Sequence, residues 1–197
     1  MFRGNIGLVY LNQDKLEEAL KSFNEALVIS TEVDNPLGQA GALNNIGLVF
    51  RVQGKLEEAL KSYEAALAIF TKTGGNPLGQ ASALNNIGVV YRVQGKLEGA
   101  LKSFNETMVI STEIGNPRIR AGALNNIGHV YLNQDKLEEA LMLFMEARLI
   151  YFKVGSARKL QHTEQLIEKL KAIISRAISV TPERLNISKS GRSYDIL

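Results

Sequence analysis

The hydrophobic and polar positions of this chain repeat with a period of about 40 residues. The run ALNNIG begins at Ala42, Ala83 and Ala123, and a shorter trace, GNIG, begins at Gly4. The run KLEEAL begins at residues 15, 55 and 136, and KLEGAL begins at residue 96. Self-similarity at this period is typical of a solenoid, in which each unit buries its apolar face against the next.

Each period predicts two helices. Leu43, Ile46, Gly47 and Phe50 follow the i, i+3, i+4, i+7 spacing of a buried helical face. After the KLEEAL run a second apolar stripe of the same kind extends to about Thr73. No segment predicts a strand.

Turn residues set the expected helix ends. An asparagine precedes Pro36, Pro77 and Pro117, and this pair favours a helix that begins at each proline. The first helix of each unit should end near Gly54 and Gly95. In the outer units the corresponding residues, Asp14 and Asp135, have capping-box spacing to Glu17 and Glu138, which predicts that these aspartates cap the second helix.

Composition excludes several classes of function. The 197 residues are 45% hydrophobic and 22% charged, which suits a globular chain with a core. There is no cysteine, and His129 and His162 are the two histidines, so we expect no thiolate or histidine metal site, no cofactor and no catalysis. No apolar run approaches the roughly 20 residues of a membrane span, and we expect a cytoplasmic protein.

Small and aromatic residues recur at fixed places in every unit. In the second unit they are Gly47, Phe50, Ala59, Tyr63 and Ala66. The other units carry Gly7, Tyr10, Ala19, Phe23 and Ala26; Gly88, Tyr91, Ala100, Phe104 and Thr107; and Gly128, Tyr131, Ala140, Phe144 and Ala147. This pattern resembles the tetratricopeptide repeat (TPR), and its 40-residue unit is similar to those of kinesin light chains, Pins-type adaptors and quorum-sensing peptide receptors.

The resemblance implies an all-α fold, a right-handed α-solenoid of antiparallel helix pairs. Residues 1–155 would form four repeats, at about 1–34, 35–75, 76–115 and 116–155. Residues 156–179 would form a C-terminal capping helix, and residues 180–197 a mobile tail.

The resemblance also implies a concave groove in which recurring asparagines hydrogen-bond an extended peptide. The matching positions are Asn5, Asn45, Asn86 and Asn126, accompanied by Asn44, Asn85 and Asn125. The side chains expected to form pockets are Leu8, Leu48, Val89 and His129 in one row and Leu11, Arg51, Arg92 and Leu132 in the next. The alternative is that these asparagines simply bond a neighbouring helix.

The two central arginines, supported by Arg118 and Arg120, favour a peptide with hydrophobic and acidic side chains. We therefore expect a protein-interaction adaptor. The alternatives are a structural or self-associating scaffold, which could pair through its uncovered N-terminal end, and the recruiting arm of a larger enzyme or signalling protein.

The C-terminal part is basic, since residues 151–197 hold nine basic and four acidic side chains. We expect this charge to solvate the capping helix, with Leu160, Leu170 and Ile173 among its inward residues and His162 on its solvated side. An anionic partner is the alternative, but nucleic acid is disfavoured because no aromatic residues alternate with the basic ones.

Overall fold

The computed structural model describes residues 2–185, with side chains described for residues 6–177. This part of the chain contains nine α-helices and no strand. The helices are α1 (Phe2–Asn12), α2 (Leu16–Glu32), α3 (Pro36–Val52), α4 (Leu56–Thr73), α5 (Pro77–Val93), α6 (Leu97–Glu113), α7 (Pro117–Asn133), α8 (Leu137–Lys153) and α9 (Ala157–Leu185).

The asparagine–proline pairs start helices as predicted. The Asn35 Oδ1 accepts a hydrogen bond of 2.9 Å from the Gly38 amide, and the Asn76 Oδ1 accepts one of 2.8 Å from the Gly79 amide. Asn116 caps α7 in the same way, through the amide of Ile119 at 3.2 Å. Each side chain satisfies an amide that has no partner within the helix.

The predicted capping boxes are wrong. Lys15 and Lys136 occupy the N-cap positions of α2 and α8, and neither makes a side-chain capping bond. Asp14 and Asp135 instead have φ angles of 60° and 58°, close to the 75° of Gly54. They close the preceding helix, as the glycines do in the central repeats, because a short aspartate side chain tolerates this left-handed conformation.

Each even-numbered helix packs between two odd-numbered helices, and the core is a stack of equivalent clusters. In one cluster Ala59 and Tyr63 of α4 bury Ile87 and Val90 of α5. The same four positions recur at the neighbouring interfaces, as Ala19, Phe23, Ile46 and Val49, and as Ala100, Phe104, Ile127 and Val130. Alternate helices also touch on the odd-numbered side, where α3 contacts α5 and α5 contacts α7.

The predicted buried face omitted a valine of α3, α5 and α7, together with two alanines near the start of each of these helices. Val49, Val90 and Val130 are fully buried, whereas Leu43 and Phe50 are only partly buried. Each valine packs with the isoleucine of the predicted stripe against the preceding even-numbered helix, while Gly47 of that stripe contacts Tyr63 of the following one. An odd-numbered helix is therefore packed on two sides, which a single amphipathic stripe does not predict.

Helix α9 continues the repeat for one more helix. Its Ile167 and Leu170 pack against Ala140 and Phe144 of α8, as Ile127 and Val130 pack against α6. A shift of 40 residues places Glu168 and Lys171 where α7 has Gly128 and Tyr131. The Lys171 Nζ lies 3.0 Å from the Glu168 Oε1, so this ion pair occupies the surface on which a further helix would pack.

Two expectations for this helix need correction. It continues past residue 179 and through Pro182 to Leu185, although an interior proline removes one backbone hydrogen bond and crowds the carbonyl four residues earlier. Ile173, expected to face inward, is half exposed, whereas Ile174, one residue further along, is partly buried, so Ile173 lies at the edge of the inward face. The rest of the expected tail, residues 186–197, lies outside the described residues.

Candidate functional site

The predicted binding residues form a surface on the odd-numbered helices. Asn44, Asn45, Leu48 and Arg51 of α3 are all partly exposed, and so are their equivalents on α5 and α7. We call this surface the A face; it comprises Asn44, Asn45, Leu48, Arg51, Asn85, Asn86, Val89, Arg92, Asn125, Asn126 and His129. Because α3, α5 and α7 lie side by side, these residues form rows that run across the repeats.

The asparagines of the A face bond to one another between repeats. The Asn86 Nδ2 donates to the Asn44 Oδ1 at 3.1 Å, and the Asn126 Nδ2 donates to the Asn85 Oδ1 at 2.8 Å. Asn125 donates to the Thr163 Oγ1 of α9 at 3.3 Å. The recurrent asparagines therefore tie adjacent odd-numbered helices together, as the interhelix interpretation predicts.

These bonds leave part of each amide unused. Asn44 and Asn85 act as acceptors and retain their N–H donors, and Asn86 and Asn126 act as donors and retain their carbonyl oxygens. Asn45 bonds to no described residue, because Gly4 stands where an Asn44 equivalent would accept from it. The side chain of Asn5 lies outside the described residues.

The A face is electropositive because its helices lack carboxylates. The sequences of α1, α3, α5 and α7 contain no Asp or Glu, whereas each even-numbered helix begins with at least one Glu. The Nε atoms of Arg51 and Arg92 are buried without a hydrogen-bond partner in the described structure. Burial lowers the pKa of Arg92 from its usual value, and no described carboxylate offsets that cost.

Arg118 and Arg120, which we expected to support an acidic ligand, are engaged elsewhere. Arg118 donates to the backbone carbonyl of Val154 at 3.3 Å. Arg120 forms a 2.6 Å salt bridge with Glu146 of α8. The arginines of the A face are therefore Arg51 and Arg92, and neither pairs with a carboxylate among the described residues.

His129 and His162 share the electropositive end of the A face. The ring of His129 packs edge-on against Phe144, with centroids 5.2 Å apart. Burial lowers the pKa of His129, and the nearby charges of Arg92 and His162 lower it further. His162 is exposed as expected, but it approaches His129. A shift of 40 residues, which places His162 at the Gly122 position, would have revealed this neighbour.

The apolar candidates differ in exposure. Leu8 is exposed, whereas Leu11, Leu48, Val89 and Leu132 are partly buried. Leu11, Val89 and Leu132 also pack against core clusters, so part of each side chain is already covered.

The described residues contain no group of three or more metal-ligating side chains. Among them, no helix is both long and apolar enough to cross a membrane.

The fold and this surface define the class of protein. It is an α-helical solenoid of repeated helix pairs, with a polar, basic face formed by the first helix of each pair. Two tetratricopeptide repeat models match the sequence, one over residues 1–72 and 38–113 and the other over residues 120–151. The chain therefore belongs to the tetratricopeptide repeat family. Solenoids of this kind present extended binding surfaces, and the coarse function is that of a protein–protein interaction adaptor.

Solved structures share the fold. The apo form of RapI superposes with a TM-score of 0.77 at 18% identity, over 89% of this chain and 64% of RapI. Aspartyl phosphate phosphatase F from Bacillus subtilis gives 0.79 at 16%, over 90% and 46% of the two chains. A Podosopora anserina kinesin light chain with nearly identical TPR-like repeats gives 0.63 at 15%, over 89% and 94%. This chain thus spans less than two thirds of the first two structures. A comparison with curated proteins found no match.

Proposed function

We propose that the A face binds an extended peptide that carries acidic and hydrophobic side chains. The observation that carries this proposal is the charge of α3, α5 and α7, which hold Arg51 and Arg92 without a single carboxylate. Both arginine side chains are partly exposed, and a ligand carboxylate could pair with the accessible part of each guanidinium group through a charge-assisted hydrogen bond.

The unused amide groups supply the complementary contacts to a peptide backbone. The free donors of Asn44 and Asn85 and the free acceptors of Asn86 and Asn126 alternate across the repeats. Neighbouring helices lie about 8–10 Å apart, close to the length of three extended residues. An extended main chain could therefore meet one amide pair per repeat, and Asn45 offers a further side chain that no described residue engages.

Hydrogen bonds alone do not account for useful affinity. Each contributes a net free energy of about 0.5–1.5 kcal/mol, and micromolar binding requires about 8 kcal/mol. Apolar contacts with Leu48 and Val89 and ion pairs with Arg51 and Arg92 would have to supply the rest. The ligand is therefore expected to combine both side-chain types rather than to be uniformly acidic.

The test is a random-peptide display selection on three proteins that are first shown to be equally helical. They are the parent, an A-face variant (Asn45→Ala, Arg51→Gln, Arg92→Gln) and a matched variant on the even-numbered helices (Asn105→Ala, Lys61→Gln, Lys102→Gln). Both variants lose one asparagine and two positive charges. Asn45 is used because it has no partner to lose among the described residues.

Peptides with Asp or Glu beside apolar residues should be enriched by the parent and the matched variant and lost by the A-face variant. Their affinity should also fall as salt is added. Equal enrichment by all three proteins would place binding elsewhere, and no enrichment by the parent would favour the structural scaffold.

A further inference from the structure

Helix α8 carries an exposed apolar stripe on its outer side, away from the A face. It consists of Met142, Met145, Leu149 and Phe152, whose exposures are 64%, 51%, 48% and 70%. The residues are spaced by three, four and three positions, so they lie along one side of the helix. Phe144 and Ala147, which pack into the core, lie on the opposite side. We call these four residues the α8 stripe.

The stripe is a departure from the repeat. The equivalent residues are Lys21, Asn24, Val28 and Thr31 on α2, Lys61, Glu64, Ala68 and Thr71 on α4, and Lys102, Asn105, Val109 and Thr112 on α6. Three repeats thus keep mostly polar residues at positions where the fourth has four large apolar side chains. The core does not require them, because the other repeats pack in the same way without them.

We propose that the α8 stripe is the interface of a symmetric dimer, in which α8 pairs antiparallel with α8 of a second copy. The three–four–three spacing is that of a helix–helix seam. With a two-fold axis near residue 147, Met142 meets Phe152 of the other copy and Met145 meets Leu149. Each methionine of the stripe thereby faces a leucine or phenylalanine of the other copy.

The charges along α8 favour this antiparallel arrangement. Glu138 and Glu139 lie in its first turn, and Arg148 and Lys153 lie in its C-terminal half, while Glu146, near the middle, is paired with Arg120. Glu138 and Lys153 form no ion pair among the described residues. Antiparallel pairing about this axis brings Glu138 of one copy within about one helical turn of Lys153 of the other, whereas parallel pairing would place like charges together.

The area suits a reversible dimer. If a fully exposed side chain of this size presents about 200 Å², the four exposures amount to about 450 Å² per copy. Two copies would bury about 900 Å² of stripe, and the flanking charged residues would bring the total to about 1,000 Å², the lower end of specific interfaces. A second copy therefore covers the stripe without help from another protein.

The dimer would leave both A faces free, because the stripe lies on an even-numbered helix. Two outward-facing binding surfaces in one particle would allow bivalent attachment to a ligand that displays two copies of its peptide.

Sedimentation velocity over a concentration series, from micromolar to submillimolar, tests the proposal on the full chain. The parent should shift reversibly from monomer to dimer. Leu149→Glu should raise the dimer dissociation constant at least about tenfold, and the matched change at the equivalent position, Val28→Glu, should leave it unchanged. Both side chains are about half exposed, and circular dichroism checks that both variants remain folded.

A charge exchange tests the orientation. Lys153→Glu should weaken the dimer, and adding Glu138→Lys to that variant should restore it. A parent that stays monomeric at every concentration overturns the proposal and leaves the stripe to a different protein. A dimer that persists in Leu149→Glu, or that Val28→Glu dissociates equally well, also overturns it.

Discussion

At the scale of single residues, the glycines of the odd-numbered helices set how closely two helices approach. A Cβ atom added to Gly88 would lie 2.6 Å from the Phe104 Cε1, and one added to Gly47 would lie 2.8 Å from the Tyr63 Cε1. Both rings are fully buried and cannot move aside. These glycines are therefore fixed by packing rather than by backbone conformation.

Gly88→Ala should destabilise the protein by about 1–3 kcal/mol, because the added methyl group overpacks the contact with Phe104. Gly41→Ala is the matched control, since a Cβ there meets no atom within 4 Å. It should stabilise α3 by up to about 1 kcal/mol through helix propensity. Thermal unfolding measures both changes, and a common sign would contradict this account.

Asparagines with and without a hydrogen-bond partner should differ in how much they stabilise the fold. Asn126→Ala should reduce the free energy of unfolding by about 1 kcal/mol, because it removes the 2.8 Å bond and leaves the Asn85 Oδ1 unsatisfied. Asn45→Ala should change it by less than about 0.5 kcal/mol, because no described residue bonds to Asn45. Denaturant titration of the two variants gives the comparison. Equal losses would mean that the bond between Asn126 and Asn85 contributes nothing.

At the scale of helices, sequence predicted the number, order and starts of the elements well because strong local signals mark them. The Asn–Pro pairs fix α3, α5 and α7, whose asparagines make the expected capping bonds. It failed at Asp14 and Asp135, because capping-box spacing does not reveal that the aspartate has a positive φ. Comparison with Gly54 and Gly95 at the same place in the repeat contained that information.

Gly99 is the weak position of α6. Its equivalents in the other repeats are Glu18, Glu58 and Glu139, so this position accommodates a glutamate in α2, α4 and α8. Gly99→Glu should therefore stabilise the protein by up to about 1 kcal/mol. A Cβ atom added to Gly99 would lie 3.0 Å from the Tyr91 Cδ2, so a small shift of that ring is required.

The melting temperature of Gly99→Glu should rise, and that of the reverse change, Glu139→Gly, should fall by a similar amount. A lower melting temperature for Gly99→Glu would show that Tyr91 cannot shift and that the glycine is required.

At the scale of the whole molecule, equivalent positions in successive repeats are buried to a similar extent, and this is why the core was largely predictable. The candidate site was less predictable. Which asparagine bonds which depends on the lateral spacing of α3, α5 and α7, and Arg120 could be assigned to Glu146 only once α7 and α8 were placed. The α8 stripe also needed the structure, because a helix packed on several sides has no outer side that sequence alone identifies.

The electropositive end of the array gives stability a pH dependence. Burial, then the charges of Arg92 and His162, lower the pKa of His129 in the folded protein. The folded state therefore disfavours the protonated ring. The stability that neutral His129 provides is complete above its unfolded pKa of about 6.5 and is lost as the pH falls through the lowered folded value. Denaturant titrations should show that the free energy of unfolding falls less between pH 7.5 and pH 5.5 in His129→Leu than in the parent.

The proposed binding of an acidic peptide should have the opposite pH dependence. A ligand carboxylate beside His129 raises the pKa of its ring, so protonation and binding strengthen each other. Affinity for a selected acidic peptide should rise between pH 7.5 and 5.5, by at most about tenfold for each unit by which the peptide raises that pKa. The peptide's own carboxylates remain ionised over this range. The affinity of His129→Leu for the peptide should depend little on pH. If that variant kept the pH dependence of the parent, the acidic group of the peptide would lie away from His129.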